Sequence, residues 1–244
     1  MRKIIYYICL CTLAVMLFSC DKDNYDAPDA RISGKIIDHN GKQVQTEQGS
    51  GNMRIKMEEL SWGNGSDDIS ITPTYLNVKQ DGTYINTKIF SGEYRLTPIE
   101  GPFYPISEED ASLVKIKGNV NHDFTIIPYL ELEWVGEPVV TNDNYIEASV
   151  RFKRNAKVGE VMPDLLNGQL FIATTQYAGN NNYDSQLVGG VKTIVNSDEG
   201  STITFKTTRA VKYTGTSYYV RVGICCSDSY KKYNYTDIIK VDVK

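Results

Sequence analysis

Apolar and polar residues alternate with a period of two along this chain, and the pattern limits the folds that it can adopt. Residues 53–58, 130–134 and 146–153 all place apolar side chains on one face and mostly charged or polar side chains on the other. Such alternation predicts strands with one buried and one exposed face, the usual arrangement in antiparallel sheets. No long segment has the spacing of an amphipathic helix. We therefore predict an all-β fold.

Turn signals divide the chain into two sets of strands. Asn40-Gly41, Asp81-Gly82 and Ser91-Gly92 are typical of hairpin turns. The strands predicted before Pro128 cover residues 31–38, 53–58, 74–79, 83–89, 93–98, 112–117 and 122–127, and a second set follows to the C-terminus. Because a small sandwich needs about seven strands and about 100 residues, we predict two tandem antiparallel β-sandwich domains, over residues 30–128 and 129–244.

The N-terminal segment predicts export and a lipid anchor. Arg2 and Lys3 precede an uncharged, largely apolar run over residues 4–18, which is shorter than the roughly 20 residues of a membrane helix. We predict a signal peptide over residues 1–19. The end of this run resembles the lipobox of bacterial lipoproteins, which implies that Cys20 becomes the lipid-carrying N-terminus. The alternative is an ordinary signal peptide with a chance cysteine.

Residues 20–29 form a short acidic stretch that cannot bury apolar area, and we predict a flexible tether there. The stretch resembles the export signal that follows the lipidated cysteine in lipoproteins of Bacteroidota. This resemblance implies an outer-membrane protein, anchored by its lipid and facing the extracellular side. A plain solvated linker remains the alternative.

Composition excludes several classes of partner and of site. Without Arg2 and Lys3 the chain has 24 basic and 30 acidic residues, a net charge of −6, and no basic run. Nucleic acid is therefore excluded as a partner. Cys225 and Cys226 are adjacent, so a bond between them closes no long loop, and they lack the spacing of zinc ligands. We predict neither a disulfide framework nor a metal site.

Each half of the chain resembles a known domain family. Residues 32–38 (ISGKIID), the hairpin 81–84 (DGTY) and residues 91–96 (SGEYRL) together resemble the transthyretin-like fold of carboxypeptidase regulatory domains. Residues 217–222 (SYYVRV) resemble the penultimate strand of a fibronectin type III or immunoglobulin-like sandwich. That resemblance implies that Tyr218 is a corner tyrosine, whose hydroxyl bonds to nearby backbone.

The whole arrangement resembles a family of two-domain Bacteroidota surface lipoproteins of unknown function. The resemblance implies a non-catalytic accessory subunit of a SusCD-type, TonB-dependent importer, with SusC/SusD-like subunits as partners and a glycan or peptide as ligand. It implies no cofactor other than the lipid on Cys20. Two alternatives stay open: a fimbria-like structural or adhesion subunit, and a glycan-binding protein that acts alone.

The sequence contains little that could carry catalysis. His39 and His122 are its two histidines, and no nucleophile elbow of the form GxSxG is present. The densest acidic spots, at residues 58–59, 67–68 and 108–110, fall at predicted strand ends or loops, where solvated carboxylates are expected. A pair of carboxylates distant in sequence is harder to exclude. We predict no enzyme and no catalytic residue.

Aromatic residues in predicted loops are the candidates for binding. Trp62 lies in a Gly-rich polar loop and would either fold back onto its domain or present a flat face to a sugar or protein. The remaining candidates are tyrosines in loops of the second domain, where loops gather at the ends of a sandwich: Tyr183, Tyr230, Tyr233 and Tyr235. The alternative for the tyrosines is packing at strand ends.

Overall fold

A computed structural model describes residues 27–49, 51–61 and 71–244 of the chain. The predicted signal peptide, Cys20 and Trp62 lie outside the described residues. Within the described ranges the chain forms strands, one short α-helix and one 3-10 helix (Asn196–Asp198), which confirms the all-β, sandwich-type prediction. No helix in these ranges has the length and apolar character needed to cross a bilayer.

The strands alternate with short turns throughout. The first eight are β1 (Ala30–Asp38), β2 (Arg54–Glu59), β3 (Thr74–Asn77), β4 (Thr83–Ile89), β5 (Gly92–Ile99), β6 (Ser112–Ile116), β7 (Asn119–Asn121) and β8 (Phe124–Ile126). The others are β9 (Leu130–Trp134), β10 (Val139–Val140), β11 (Ile146–Arg154), β12 (Leu165–Ala173), β13 (Lys192–Thr193), β14 (Ile203–Lys206), β15 (Thr216–Cys226), β16 (Tyr233–Tyr235) and β17 (Ile239–Val243). The helix α1 (Ser185–Val188) lies between β12 and β13.

The N-terminal sandwich consists of two four-stranded sheets. One has the order β4-β1-β7 with β8 also on β1, and the other has the order β3-β2-β5-β6. Their apolar faces enclose one core, in which Ile32, Ile36, Ile55, Leu96 and Ile116 are almost completely buried. The alternation that predicted these strands therefore marks the residues that meet between the sheets.

One strand of this sandwich differs from its prediction. The strand expected over residues 122–127 is limited to β8 (Phe124–Ile126), and a further short strand, β7 (Asn119–Asn121), precedes it. His122 and Asp123 separate the two strands, and both strands pair parallel to β1. Opposite this break lies Gly34, where a Cβ atom would stand 1.8 Å from the carbonyl oxygen of His122. The same oxygen accepts a hydrogen bond from the Tyr84 hydroxyl. The close approach of two backbones explains why a glycine occupies this position.

The C-terminal sandwich pairs a sheet of order β10-β11-β14, with β9 on β11, and a sheet of order β13-β12-β15-β16, with β17 on β15. Its core includes Val150, Phe152, Ile172 and Val220. The Tyr218 hydroxyl accepts a hydrogen bond from the backbone nitrogen of Tyr213 at 3.3 Å, as expected of a corner tyrosine. This confirms the bond that the sandwich resemblance implied.

Strand β15 is buried on both faces, in contrast to the alternation expected of a half-exposed strand. Every residue from Val220 to Cys226 is buried. The inner face meets the core of the C-terminal sandwich. The outer face, which carries Arg221, is covered by residues 44–49 of the N-terminal sandwich and by the loop that follows β12. The two sandwiches are therefore joined through a strand that is central to one of them.

Candidate binding site at the junction of the two sandwiches

Arg221 lies at the centre of the contact between the sandwiches and is fully buried. Its Nη1 atom donates hydrogen bonds to the carbonyl oxygens of Thr46 at 2.9 Å and Ala178 at 3.3 Å. Its guanidinium carbon lies 3.8 Å from the centre of the Tyr235 ring. Burial lowers the pKa of the guanidinium to about 10, which leaves the group charged at neutral pH. The guanidinium therefore interacts with backbone carbonyl groups of both sandwiches and with an aromatic ring of the C-terminal sandwich.

Glu47 reaches the same junction from the N-terminal sandwich and is also buried. One carboxylate oxygen accepts a hydrogen bond from the Tyr235 hydroxyl at 3.2 Å, and the other accepts one from the backbone nitrogen of Asn181. The Tyr235 hydroxyl also accepts a hydrogen bond from the backbone nitrogen of Asn180 at 3.2 Å. The network holds the two sandwiches in one relative position, because its members come from both.

The Glu47 carboxyl makes a pH-dependent contribution to stability. Burial raises its pKa above the ordinary value of 4.5, against the opposing effect of the hydrogen bond from Asn181. The folded chain therefore binds this proton more tightly than the unfolded chain does. The resulting stabilisation is fully present below about pH 4.5 and is lost as the pH rises through the raised pKa.

We expect Glu47→Gln to remove this dependence, because glutamine does not titrate. The free energy of unfolding of the variant, minus that of the wild type, should increase from pH 4 to pH 7. Urea denaturation at the two pH values measures the difference. A difference that stays constant, or decreases, would contradict the assignment of a raised pKa to this carboxyl.

Three of the four predicted tyrosines surround Phe171 at this junction. The ring centres of Tyr183, Tyr233 and Tyr235 lie 5.4, 5.2 and 5.6 Å from that of Phe171. Tyr235 is buried and the other two are half-buried. The Tyr233 hydroxyl donates a hydrogen bond to Asn167 Oδ1 at 2.8 Å. These positions favour the alternative of packing, and direct contact of the three rings with a ligand stays a prediction.

Tyr230 lies apart from this cluster on the turn between β15 and β16, where it is 47% exposed. Its backbone nitrogen donates to Asp228 Oδ2 at 3.1 Å, which fixes the turn. Lys232, on the same turn, donates to the carbonyl oxygen of Gly51 at 2.5 Å. The turn therefore reaches the N-terminal sandwich, and Tyr230 remains available to a partner at its surface.

An open groove of about 540 Å³ runs between the two sandwiches, and we call it the amide groove. Three glutamines, two tyrosines and two lysines contribute to its walls: Gln48, Gln80, Gln176, Tyr177, Tyr219, Lys79 and Lys240. The Gln80 side chain donates to the carbonyl oxygen of Gln176 at 2.7 Å, and its backbone nitrogen donates to Gln48 Oε1 at 3.2 Å. The first bond crosses the junction, the second lies within the N-terminal sandwich, and together they fix the side-chain amides of Gln80 and Gln48 on the groove wall.

Two turns and one pair of strands position the other side chains of the amide groove. The Asp81-Gly82 turn forms as predicted, with Gly82 at a φ of 78°, and it places Lys79 on the N-terminal wall. On the opposite wall Tyr219 of β15 is directly paired with Lys240 of β17. Tyr177 projects from the loop after β12 and is 47% exposed. Aromatic, amide and ammonium groups thus face one cleft, as expected of a site for a polar ligand.

A second groove of about 450 Å³ lies beside β9 and β11, and we call it the charged groove. Charged side chains from both sandwiches form much of its lining: Asp38, Lys42, Glu131, Glu133, Arg151, Lys153 and Glu199. Arg151 lies 3.6 Å from Glu133, and Lys42 lies 3.8 Å from Asp237. One ion pair therefore lies within the groove, and Lys42 is paired with a carboxylate outside its lining.

The described residues lack a cluster of side chains suited to binding a metal ion. No three histidine, cysteine or acidic side chains in these ranges are placed to hold one metal ion. The His39 Nε2 atom lies 3.5 Å from Glu131. His122 packs against Phe124 at 4.7 Å, and burial lowers the pKa of its imidazole. Among the described residues no hydrogen bond joins either imidazole to the side chain of a serine, threonine or cysteine.

Sequence reasoning did not select the residues of the amide groove. Tyr219 belongs to a segment that was interpreted only as a strand of the sandwich. The three glutamines are far apart in the chain: Gln48, Gln80 and Gln176. The pattern around Tyr177, where two tyrosines flank a Gly-Asn-rich loop, was the one local signal. No spacing rule connects the glutamines, because the contact between the sandwiches alone brings them together.

Comparison with known proteins identifies the N-terminal sandwich. Residues 30–127 match the sequence profile described as "Protein of unknown function (DUF3823) N-terminal domain". A comparison with curated proteins found no match.

Several solved structures cover both sandwiches. A DUF3823 family protein from Bacteroides uniformis has a TM-score of 0.74 at 24% identity, covering 89% of this chain and 100% of its own. Another protein from Bacteroides uniformis, whose description proposes carbohydrate binding, has a TM-score of 0.69 at 24% identity, covering 88% of this chain and 100% of its own. A DUF3823 family protein from Parabacteroides merdae has a TM-score of 0.69 at 20% identity, with coverages of 89% and 100%. Residues 30–127 are therefore similar to the DUF3823 N-terminal domain, and the chain shares the two-sandwich fold of these solved structures.

Proposed function

We propose that this protein is a non-catalytic, lipid-anchored carbohydrate-binding protein of the bacterial cell surface. The observation that carries the proposal is the amide groove, in which exposed Tyr177 and fixed glutamine amides face one cleft between two joined sandwiches. Aromatic faces and planar amides suit sugars, which present both an apolar ring face and many hydroxyls. A similar structure whose description proposes carbohydrate binding supports the same ligand class.

The position of the groove suits display away from a membrane. Asp29, at the start of β1, accepts hydrogen bonds from the Ser91 backbone nitrogen and hydroxyl, both at 2.8 Å. From there β1 runs nine residues, about 30 Å, towards the loop that contacts the C-terminal sandwich. A chain anchored at Cys20 would therefore hold the amide groove on the side of the N-terminal sandwich that is remote from the tether.

The protein would act as an accessory subunit of a SusCD-type importer. A binding protein without catalytic groups contributes to uptake by raising the local concentration of ligand near a channel. The proposed partners are a SusC-like channel and its SusD-like lid, and the exposed turn around Tyr230 is a candidate contact for them. The lipid on Cys20 would hold this protein in the same membrane as both partners.

The full-length protein, extracted from its native membranes in mild detergent, tests both parts. We expect the preparation to be retained on immobilised polysaccharide and to co-purify with a large channel and a lid protein. A Cys20→Ala variant, which removes the acylated sulfur, should leave the membrane fraction and lose the co-purification while keeping its retention on polysaccharide.

Three outcomes would contradict parts of the proposal. Polymers of the chain in the extract would favour the fimbria-like alternative. Retention on polysaccharide without any channel would favour a glycan-binding protein that acts alone. Failure to bind any polysaccharide would contradict carbohydrate binding itself.

A further inference from the structure

The amide groove carries positive charge on both of its walls, although the chain as a whole is acidic. Lys79 belongs to the N-terminal wall and Lys240 to the C-terminal wall. Among the described residues no carboxylate lies within 4 Å of the Lys79 ammonium, and Lys240 lies 3.4 Å from Asp242. The groove also contains Asp81, whose Oδ1 atom accepts hydrogen bonds from the backbone nitrogen and hydroxyl of Thr83 at 3.0 and 2.7 Å.

We propose that the amide groove binds acidic oligosaccharides, with Lys79 and Lys240 recognising a uronate carboxylate and Tyr177 stacking on a sugar ring. This inference rests on the proposed function and adds the class of glycan and the residues that select it. A neutral glycan accepts ordinary hydrogen bonds from two ammonium groups, whereas a carboxylate forms stronger bonds in which both partners are charged. The groove lining contains two lysines and one acidic residue, Asp81, so its charge is positive on balance and attracts an anionic ligand to an otherwise negative molecule.

Three further side chains of the amide groove are placed to contact the sugar. Gln48 uses its side-chain oxygen to accept from Gln80, which leaves its amide nitrogen to donate to a sugar hydroxyl. Tyr219 lies beside Lys240 through strand pairing, so a ring and a charge occur together on this wall. The Tyr177 ring, which is 47% exposed, has area available for stacking.

The charged groove differs from the amide groove in its balance of charge. It contains four acidic side chains, Asp38, Glu131, Glu133 and Glu199, against three basic ones, so its charge is negative on balance and disfavours a carboxylate ligand. An acidic glycan should therefore bind to the amide groove in preference to the charged groove. Substitutions in the charged groove should not reproduce the loss of binding caused by substitutions in the amide groove.

Calorimetric titration of the full-length protein in detergent tests the inference. The probes are galacturonate, mannuronate and glucuronate oligomers, each with its methyl ester, which removes the charge but keeps the ring. We expect binding of at least one uronate oligomer and at least about tenfold weaker binding of its ester. Lys79→Gln, Lys240→Gln and Tyr177→Ala should each weaken binding by about tenfold, and Tyr177→Phe by much less.

Matched controls come from the same molecule. Lys115→Gln changes the net charge equally at an exposed position on β6, and Tyr213→Ala removes a 56% exposed ring outside both grooves. Each should alter affinity less than twofold. Uronate binding that is unaffected by the groove variants would overturn the assigned site. Binding of neutral glycans alone would overturn the acidic class while leaving the proposed function intact. Binding of no glycan would overturn both.

Discussion

Arg221→Ala is expected to lower the free energy of unfolding by about 3 kcal/mol or more. The variant would leave the buried carbonyl oxygens of Thr46 and Ala178 without their donor. It would also open a cavity against the Tyr235 ring, which the guanidinium now covers at 3.8 Å. Both the lost hydrogen bonds and the cavity lie at the contact between the sandwiches. Neither sandwich can therefore restore these interactions by rearranging its own residues.

Thermal and urea unfolding of the full-length protein measure this loss. Arg151→Ala is the matched control, because Arg151 is an exposed arginine on β11 that pairs with exposed Glu133 at 3.6 Å. We expect that control to change stability by no more than about 0.5 kcal/mol. If Arg221→Ala cost as little as Arg151→Ala, the buried guanidinium would not hold the sandwiches together.

Gly34→Ala is expected to destabilise the N-terminal sandwich by about 3 kcal/mol or more. The new Cβ atom would lie 1.8 Å from the carbonyl oxygen of His122, and a backbone atom cannot give way as the end of a side chain can. Strand β1 would have to move away from β7 and β8, which pair with it on either side of this point. The hydrogen bond from the Tyr84 hydroxyl to His122 would be lost as well.

Two further variants keep this prediction testable if Gly34→Ala does not fold. Gly190→Ala is the control, since no atom lies within 4 Å of the position of its Cβ, and we expect no loss of stability. Tyr84→Phe removes only the hydroxyl at the crossing and should cost about 1 kcal/mol. Normal stability of Gly34→Ala in urea denaturation would show that β1 and His122 are not in close contact.

Local patterns in the sequence were sufficient for the fold class and for several turns. Alternation along β11 and β2 predicted which faces are buried, because a strand exposes its two sets of side chains to different surroundings. Gly82 occupies the predicted turn at positive φ, and Tyr218 makes the predicted corner bond. These features depend on residues close together in the chain, so spacing alone reveals them.

The junction between the sandwiches depended on contacts that no local pattern records. Tyr233 and Tyr235 follow a loop, as exposed binding residues often do, yet they pack on Phe171 because Glu47 and its neighbours cover that face. Residues 122–127 were predicted to form one strand, but His122 lies at the crossing with Gly34 and the strand begins only at Phe124.

The sequence by itself determined an all-β chain, the positions of several turns and the inward faces of most strands, since these follow from periods of two and from residues a few positions apart. It did not determine that the turns at Asp81-Gly82 and Ser91-Gly92 connect strands of different sheets rather than hairpins. Only the tertiary structure decided that β15 is buried on both faces and that Gln48, Gln80 and Gln176 share one groove. The physical reason is distance along the chain: Glu47 and Tyr235 are 188 residues apart. Docking of one folded sandwich on the other is what creates their contact and the groove beside it.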